Sequence, residues 1–340
     1  MMFRITGNSA RNPAFSRCCT ELVFSEQWDD GRTMARTNRI LNGGSAAMST
    51  VHFALVMVSV LVLALVAGLP AAAQEPIGPF KDQLFSGAAV LEKADGGDFE
   101  IVDYQEMRDI NGRDQVPERR VKSRFVSTGV RRHQVDETLS LGSRRIEVTR
   151  VGPERNADFT VIFVHGRGGD RRLGANDYSF GGNFNRLKNL VIDHSGTYYS
   201  PTVTSFDQAG TADIAALVRH ASEASAGRAV ILACASMGGV ICSGISRQDV
   251  AQDLDGIVLL GGPPDPQFMA TAAGRRRGPL YLAHGSADSV YPVDGPVAVY
   301  RTLHAAGYPV RMAIFNTGSH GTPIRMTDWR KVLNFLLAAR

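Results

Sequence analysis

Short apolar runs at 159–164, 230–234, 257–260, 280–283 and 312–315 recur through the second half of this 340-residue chain. Each is too short for a helix and has no polar alternation, which is the pattern of a strand buried on both faces. A further strand is predicted at 198–203. Helix-periodic stretches separate the runs, at 183–191, 237–245 and 296–306. Thr211 is a candidate N-cap for a helix that carries Ile214, Leu217 and Val218 on one face, and Thr327 for a last helix through Trp329, Val332, Phe335 and Leu336. Strands that alternate with helices specify an α/β fold, with a mostly parallel central sheet flanked by helices on both faces. Upstream, β-prone pieces at 99–102 and 146–149 fit two or three antiparallel strands at the start of the sheet. An apolar share of 44% supports a sizeable core. The net charge is only +4 and the basic residues are scattered, which excludes a nucleic-acid footprint.

The N-terminal quarter has a different character. Residues 53–69 are uncharged and mostly aliphatic, and Pro70, Ala71, Ala72, Ala73 and Gln74 follow. Arg32, Arg36 and Arg39 precede the run without an intervening acid. A basic region, an apolar run and an A-x-A site describe a secretory signal peptide cut after Ala73, or an N-terminal membrane anchor where it is not cut. The expected organisation is an upstream extension over 1–47, the signal or anchor over 48–73, a linker over 74–97, and a catalytic domain over 98–340. Export to the periplasm or the medium follows from this reading, with membrane contact only where the apolar segment stays uncleaved.

The run at 230–234 ends in Ala235, Ser236, Met237, Gly238 and Gly239. A serine among tiny residues, between a strand and a helix, has the shape of a nucleophile elbow, with cysteine at position 234 where the G-x-S-x-G motif has its first glycine. The strand at 159–164 runs into His165, Gly166, Arg167, Gly168, Gly169 and Asp170. The strand at 280–283 is followed by His284, Gly285 and Asp288, and the last strand by Gly318, Ser319, His320 and Gly321. Serine, aspartate and histidine in that order, each after a strand, resemble the α/β-hydrolase family across residues 130–340, in a small lidless, esterase-like form. The resemblance implies Ser236 as nucleophile, His320 as general base and Asp288 as the acid that orients it. It also implies an oxyanion hole from the N–H of Met237 and one from the Gly166–Arg167 turn. No cofactor or metal is implied.

Other readings of these residues stand beside that one. A serine that begins a helix also reads as an N-cap, and Asp265 is a rival acid after the preceding strand. His165 and His284 read as loop supports, and His304 lies within a helix. Arg167 reads as a salt bridge to Asp170 or as a contact for an anionic substrate group, and Arg275, Arg276 and Arg277 as a solvated turn. Cys234 and Cys242 straddle the elbow with side chains expected to point apart, so they read as buried free thiols. Position 234 tolerates cysteine because the residue is still small. Only about twenty residues separate the strands at 257–260 and 280–283, which leaves no room for a large cap, although 170–183 can partly roof the site. The expected function is an exported serine esterase or thioesterase acting on a small acyl substrate. An acyltransferase or peptidase of the same fold, and a non-catalytic binding protein, are the alternatives.

Overall fold

The computed structural model describes residues 77–81 and 87–338. The upstream extension and the signal or anchor segment lie outside the described residues. Among those described, no helix is long and apolar enough to cross a membrane.

The first strands among the described residues are β1 (Val90–Ala94) and β2 (Phe99–Val102), followed by a small two-stranded piece, β3 (Asp114–Gln115) and β4 (Arg120–Val121). The hairpin β5 (Gln134–Leu141) and β6 (Arg144–Val151) follows, and then β7 (Phe159–Val164). From there strands and helices alternate: α1 (Arg171–Ala175), α2 (Asn183–Asp193), β8 (Thr197–Pro201), α3 (Gln208–Ala224), β9 (Ala229–Ala235) and α4 (Gly238–Ser246). The remainder is β10 (Gly256–Leu260), α5 (Ala272–Arg276), β11 (Leu280–Gly285), α6 (Asp294–Ala305), β12 (Val310–Phe315), α7 (Thr322–Met326) and α8 (Trp329–Ala338). Among the described residues, ten strands form one sheet in the order β1-β2-β12-β11-β10-β9-β7-β8-β6-β5. In this sheet the pairs from β2 through β8 are all parallel, and the antiparallel pairs, β1 with β2, β8 with β6 and β6 with β5, lie towards its two edges.

All six residues of β7 and all seven of β9 are buried, as two covered faces require. Alternation along β9 divides the core. Val230, Leu232 and Cys234 share one cluster with Ile214, Val218, Ile241 and Leu303. Ile231, Ala233 and Ala235 share the other with Phe184, Leu187, Val332 and Leu336. Thus α3, α4 and α6 cover one face, and α2 and α8 the other. Burying each large aliphatic or aromatic side chain there contributes roughly 1.5–3 kcal/mol. Chain order reverses at β7, which has β8 on one side and β9 on the other. That places a crevice beyond the carboxyl ends of β7 and β9.

The structure departs from the sequence reading at several points. Residues 90–97, expected within a linker, are ordered, and β1 pairs with β2. β2 lies parallel to β12, with Phe99 opposite Met312, so it extends the far edge of the sheet rather than joining β5 and β6 at its start. Its Phe99 and Ile101 pack onto the α3–α4–α6 core, which is what draws them there. Asp207, not Thr211, caps α3: its carboxylate accepts from the N–H of Ala209 at 2.9 Å and of Gly210 at 3.2 Å. Asp328, not Thr327, accepts from the N–H of Arg330 at 3.1 Å in the first turn of α8.

The two cysteines of the core are buried as expected but are not free thiols: Cys234 and Cys242 form a disulfide. The elbow folds α4 back along the face of β9 that carries Cys234, so a residue eight positions on returns over its own strand. The resulting Cα separation of 6.2 Å lies within bridging range. The expectation of diverging side chains treated the helix as leaving the strand.

Candidate active site

Ser236 stands where β9 ends, two residues before α4 starts. Its φ is +52°, a left-handed value that an L side chain adopts only where the surroundings impose it. Its N–H donates to the Leu260 carbonyl at 3.0 Å, fastening the turn to β10. A Cβ on Gly238 would lie 2.7 Å from the His165 carbonyl oxygen and 2.8 Å from that of Val164. Only glycine lets α4 begin so close to the end of β7. Gly166 comes as near from the other side, since a Cβ there would meet the Ser236 Cβ at 2.8 Å and its Oγ at 3.1 Å.

Loops from two further strands bring their side chains to this serine. His320 Nε2 lies 2.8 Å from Ser236 Oγ, and its Nδ1 lies 2.8 Å from Asp288 Oδ2. The Asp288 side chain is fully buried, whereas that of His320 keeps 28% of its exposure and so opens to solvent. Burial alone would raise the Asp288 carboxyl. Hydrogen bonds from His320 and from the N–H groups of Tyr291 (3.0 Å) and Val290 (2.8 Å) outweigh it and hold the group below the ordinary carboxylate range. Asp288 is therefore an anion positioned to fix the imidazole through Nδ1. The Tyr291 ring lies beside that imidazole, with centroids 5.7 Å apart.

The other histidines are accounted for by their own bonds. His165 Nε2 accepts from the Val203 N–H at 3.0 Å, which leaves Nδ1 to donate to the Gly166 carbonyl at 2.7 Å. Gly169 N–H donates to that same carbonyl. In a trans peptide the Arg167 N–H then points the opposite way. His284 Nε2 lies 2.7 Å from the Tyr291 carbonyl and 3.3 Å from Asp288 Oδ2, so it braces the acid's loop from beneath. Burial lowers the pKa of both rings, which favours neutral imidazoles. His304 stacks on Tyr300 within α6 and is directed towards Asp95 and Asp98. Asp265 serves α4 instead of a histidine, accepting from Ser243 Oγ at 3.1 Å and Arg247 Nη2 at 2.7 Å.

Arg167 does not pair with Asp170. Asp170 caps α1 through the Arg172 N–H and binds the Arg172 guanidinium. Arg167 is exposed. Met237, the other proposed donor, immediately follows Ser236. The arginines expected as a solvated turn before β11 are exposed, but Arg275 and Arg276 close α5 and only Arg277 lies beyond it: Arg276 meets Asp255, and Arg275 donates to the Ala270 carbonyl.

Some contributors carried no motif. Arg325 on α7 binds Asp114 through two nitrogens, at 3.1 and 2.7 Å, and its Nη1 also donates to the Asp109 carbonyl. This buried pair ties the 105–121 excursion to the helix that follows His320. The segment expected as a partial roof reaches the same loop, because Phe180 Cε1 lies 3.6 Å from where a Gly321 Cβ would stand. A separate groove of about 460 Å³ between β2, β12 and α8 shares no residue with this cluster. Two of its cations are already bound, Lys331 by Glu100 and Arg311 by Asp98.

The strand order, the elbow after β9 and the loops after β11 and β12 settle the architecture. This is an α/β-hydrolase fold. An esterase of Pyrococcus furiosus is 12% identical, with a TM-score of 0.44 over 60% of this chain and 91% of that one. A thermostable esterase is 18% identical, with a TM-score of 0.47 over 61% of this chain and 63% of that one. A Xanthomonas campestris α/β serine hydrolase described as without a lid is 17% identical, with a TM-score of 0.40 over 60% of this chain and 93% of that one. No protein-family model and no curated protein sequence matches the chain. Likeness at this level carries no residue roles across, so those rest on the distances above.

Proposed function

We propose that the protein is an exported serine hydrolase that cleaves an ester or thioester through an acyl-enzyme. One observation carries the reading: the unbroken chain from Ser236 Oγ through His320 to the buried Asp288, at 2.8 Å for each step and starting from a strained elbow. Ser236 Oγ attacks the acyl carbon while His320 Nε2 takes its proton. Charge then develops on the carbonyl oxygen. The N–H of Met237 and that of Arg167, beside Gly166, are the donors for it, and each is worth on the order of 3 kcal/mol in such a site. His320 returns the proton to the departing alcohol or thiol, and water releases the acyl group by the same steps. Asp288 stabilises the imidazolium throughout and stays ionised.

Export is supported by the bridge between Cys234 and Cys242, since structural disulfides persist in oxidising compartments. N-terminal sequencing of the protein isolated from cells tests this, with Gln74 the expected first residue after cleavage. For the chemistry, a fluorophosphonate probe should label the wild type and leave Ser236→Ala unlabelled. Equal labelling of the two would refute the assignment. His320→Ala should lose about 10⁴-fold or more in ester hydrolysis.

A further inference from the structure

Phe180 adopts φ +48°, and Gly181 and Gly182 follow at +67° and +80°. Glycine enters this region freely, whereas a bulky side chain there is an outlier that persists only when its surroundings over-determine it. Here they do. Asn176 Oδ1 accepts from the N–H groups of Tyr178 and Ser179 at 2.8 and 2.9 Å. The Tyr178 carbonyl accepts from the Val121 N–H at 3.0 Å, and Arg120 lies over the Tyr178 ring at 3.4 Å. Arg325, bound to Asp114, closes on Gly181, where a Cβ would meet its Nη1 at 3.1 Å. Three separate parts of the chain hold one strained residue in place.

What the strain achieves is the position of the ring. Phe180 meets Phe184 edge-on at 5.9 Å and is only partly buried, while Phe184 and Phe163 already pack against each other in the core at 4.7 Å. Phe180 Cε1 lies 3.6 Å from where a Cβ on Gly321, the neighbour of His320, would stand. In the reaction proposed above, His320 hands its proton to the leaving oxygen, so the leaving group must lie within hydrogen-bond reach of that ring.

We infer that Phe180 is a specificity-determining wall on the leaving-group side of the site, restricting the enzyme to esters of small alcohols. The inference rests on the serine-hydrolase reading. The test compares methyl acetate with benzyl acetate, which share an acyl group, in the wild type, Phe180→Ala and Phe180→Gly. The benzyl-to-methyl ratio of kcat/KM should rise roughly tenfold or more in both variants, as removal of an aromatic ring from a pocket wall permits. Phe180→Gly should also melt no lower than Phe180→Ala, because glycine accepts the left-handed backbone. A ratio within twofold of wild type in folded variants would overturn the wall, and so would unfolding of both variants, which would make Phe180 a core residue. If the wild type hydrolyses neither ester and takes up no fluorophosphonate, the hydrolase reading itself fails and the wall falls with it.

Discussion

Breaking the bridge between Cys234 and Cys242 should lower stability by an amount that loop length sets. The cysteines are eight residues apart. In the chain-entropy treatment, closing so short a loop in the unfolded state contributes about 2.5 kcal/mol. For a domain of this size that corresponds to a melting shift on the order of 5–10 °C. Both sulfurs are buried, so a reductant added to the native protein should act only as the protein opens. The comparison is therefore between protein refolded under oxidising and under reducing conditions, read by thermal melting. Cys234→Ala and Cys242→Ala should each forfeit the bridge, and the double variant should cost far less than the sum of the two. The bond itself can be read by mass. No Lys or Arg lies between Arg228 and Arg247, so trypsin releases both cysteines and Ser236 on one peptide, residues 229–247. Without reduction that peptide should be two hydrogens lighter than the dithiol and should resist alkylation in denaturant. A doubly alkylated peptide from unreduced protein, or equal melting of the oxidised and reduced forms, would refute the reasoning.

Further outcomes follow from buried ionisable groups. His165 and His284 have pKa values lowered by burial, whereas in the unfolded chain they titrate near 6.5. Below about pH 6.5 the unfolded chain takes up protons that the native state refuses, so stability should fall by up to roughly 1.4 kcal/mol per pH unit per histidine. Denaturant midpoints from pH 7.5 to 5 test this, and a flat or rising profile would contradict it. Asp288 works in another window: its depressed pKa contributes stability that is present above about pH 4 and is lost only below it. The Arg325–Asp114 pair is buried on both sides. Arg325→Met should therefore cost about 3–5 kcal/mol by stranding the carboxylate, and Arg325→Met with Asp114→Leu should recover most of that. Denaturant unfolding measures both, and a double variant no better than the single would oppose the account.

What could be read in the sequence was whatever local pattern determines. The buried strands were legible because an unbroken apolar run admits few alternatives, and the convergence of Ser236, Asp288 and His320 because each stands in the turn or loop after such a run. Features set by tertiary return were not legible. β2 has the composition of any short strand, and nothing in four residues says it will lie against β12, which ends more than two hundred positions later. Arg325 and Asp114 are likewise 211 residues apart, and neither carries a motif. Phe180 lies in the segment read only as a partial roof, and its conformation is hidden because a positive φ is announced by glycine and concealed by phenylalanine.

Position 234 joins these two kinds of information. Judged by size alone, cysteine was a tolerable replacement for the motif's first glycine. The elbow that makes smallness necessary also folds α4 back over β9, and that return places Cys242 against Cys234. The same backbone reversal thus exposes the Ser236 hydroxyl on one side of the turn and closes a covalent tie on the other. A serine held at φ +52° needs surroundings that forbid relaxation. The Leu260 carbonyl, the close approach of Gly238 to β7 and the bridge each restrain it from a different direction. The departure from the motif is thereby part of what holds Ser236 in the geometry on which the proposed chemistry depends.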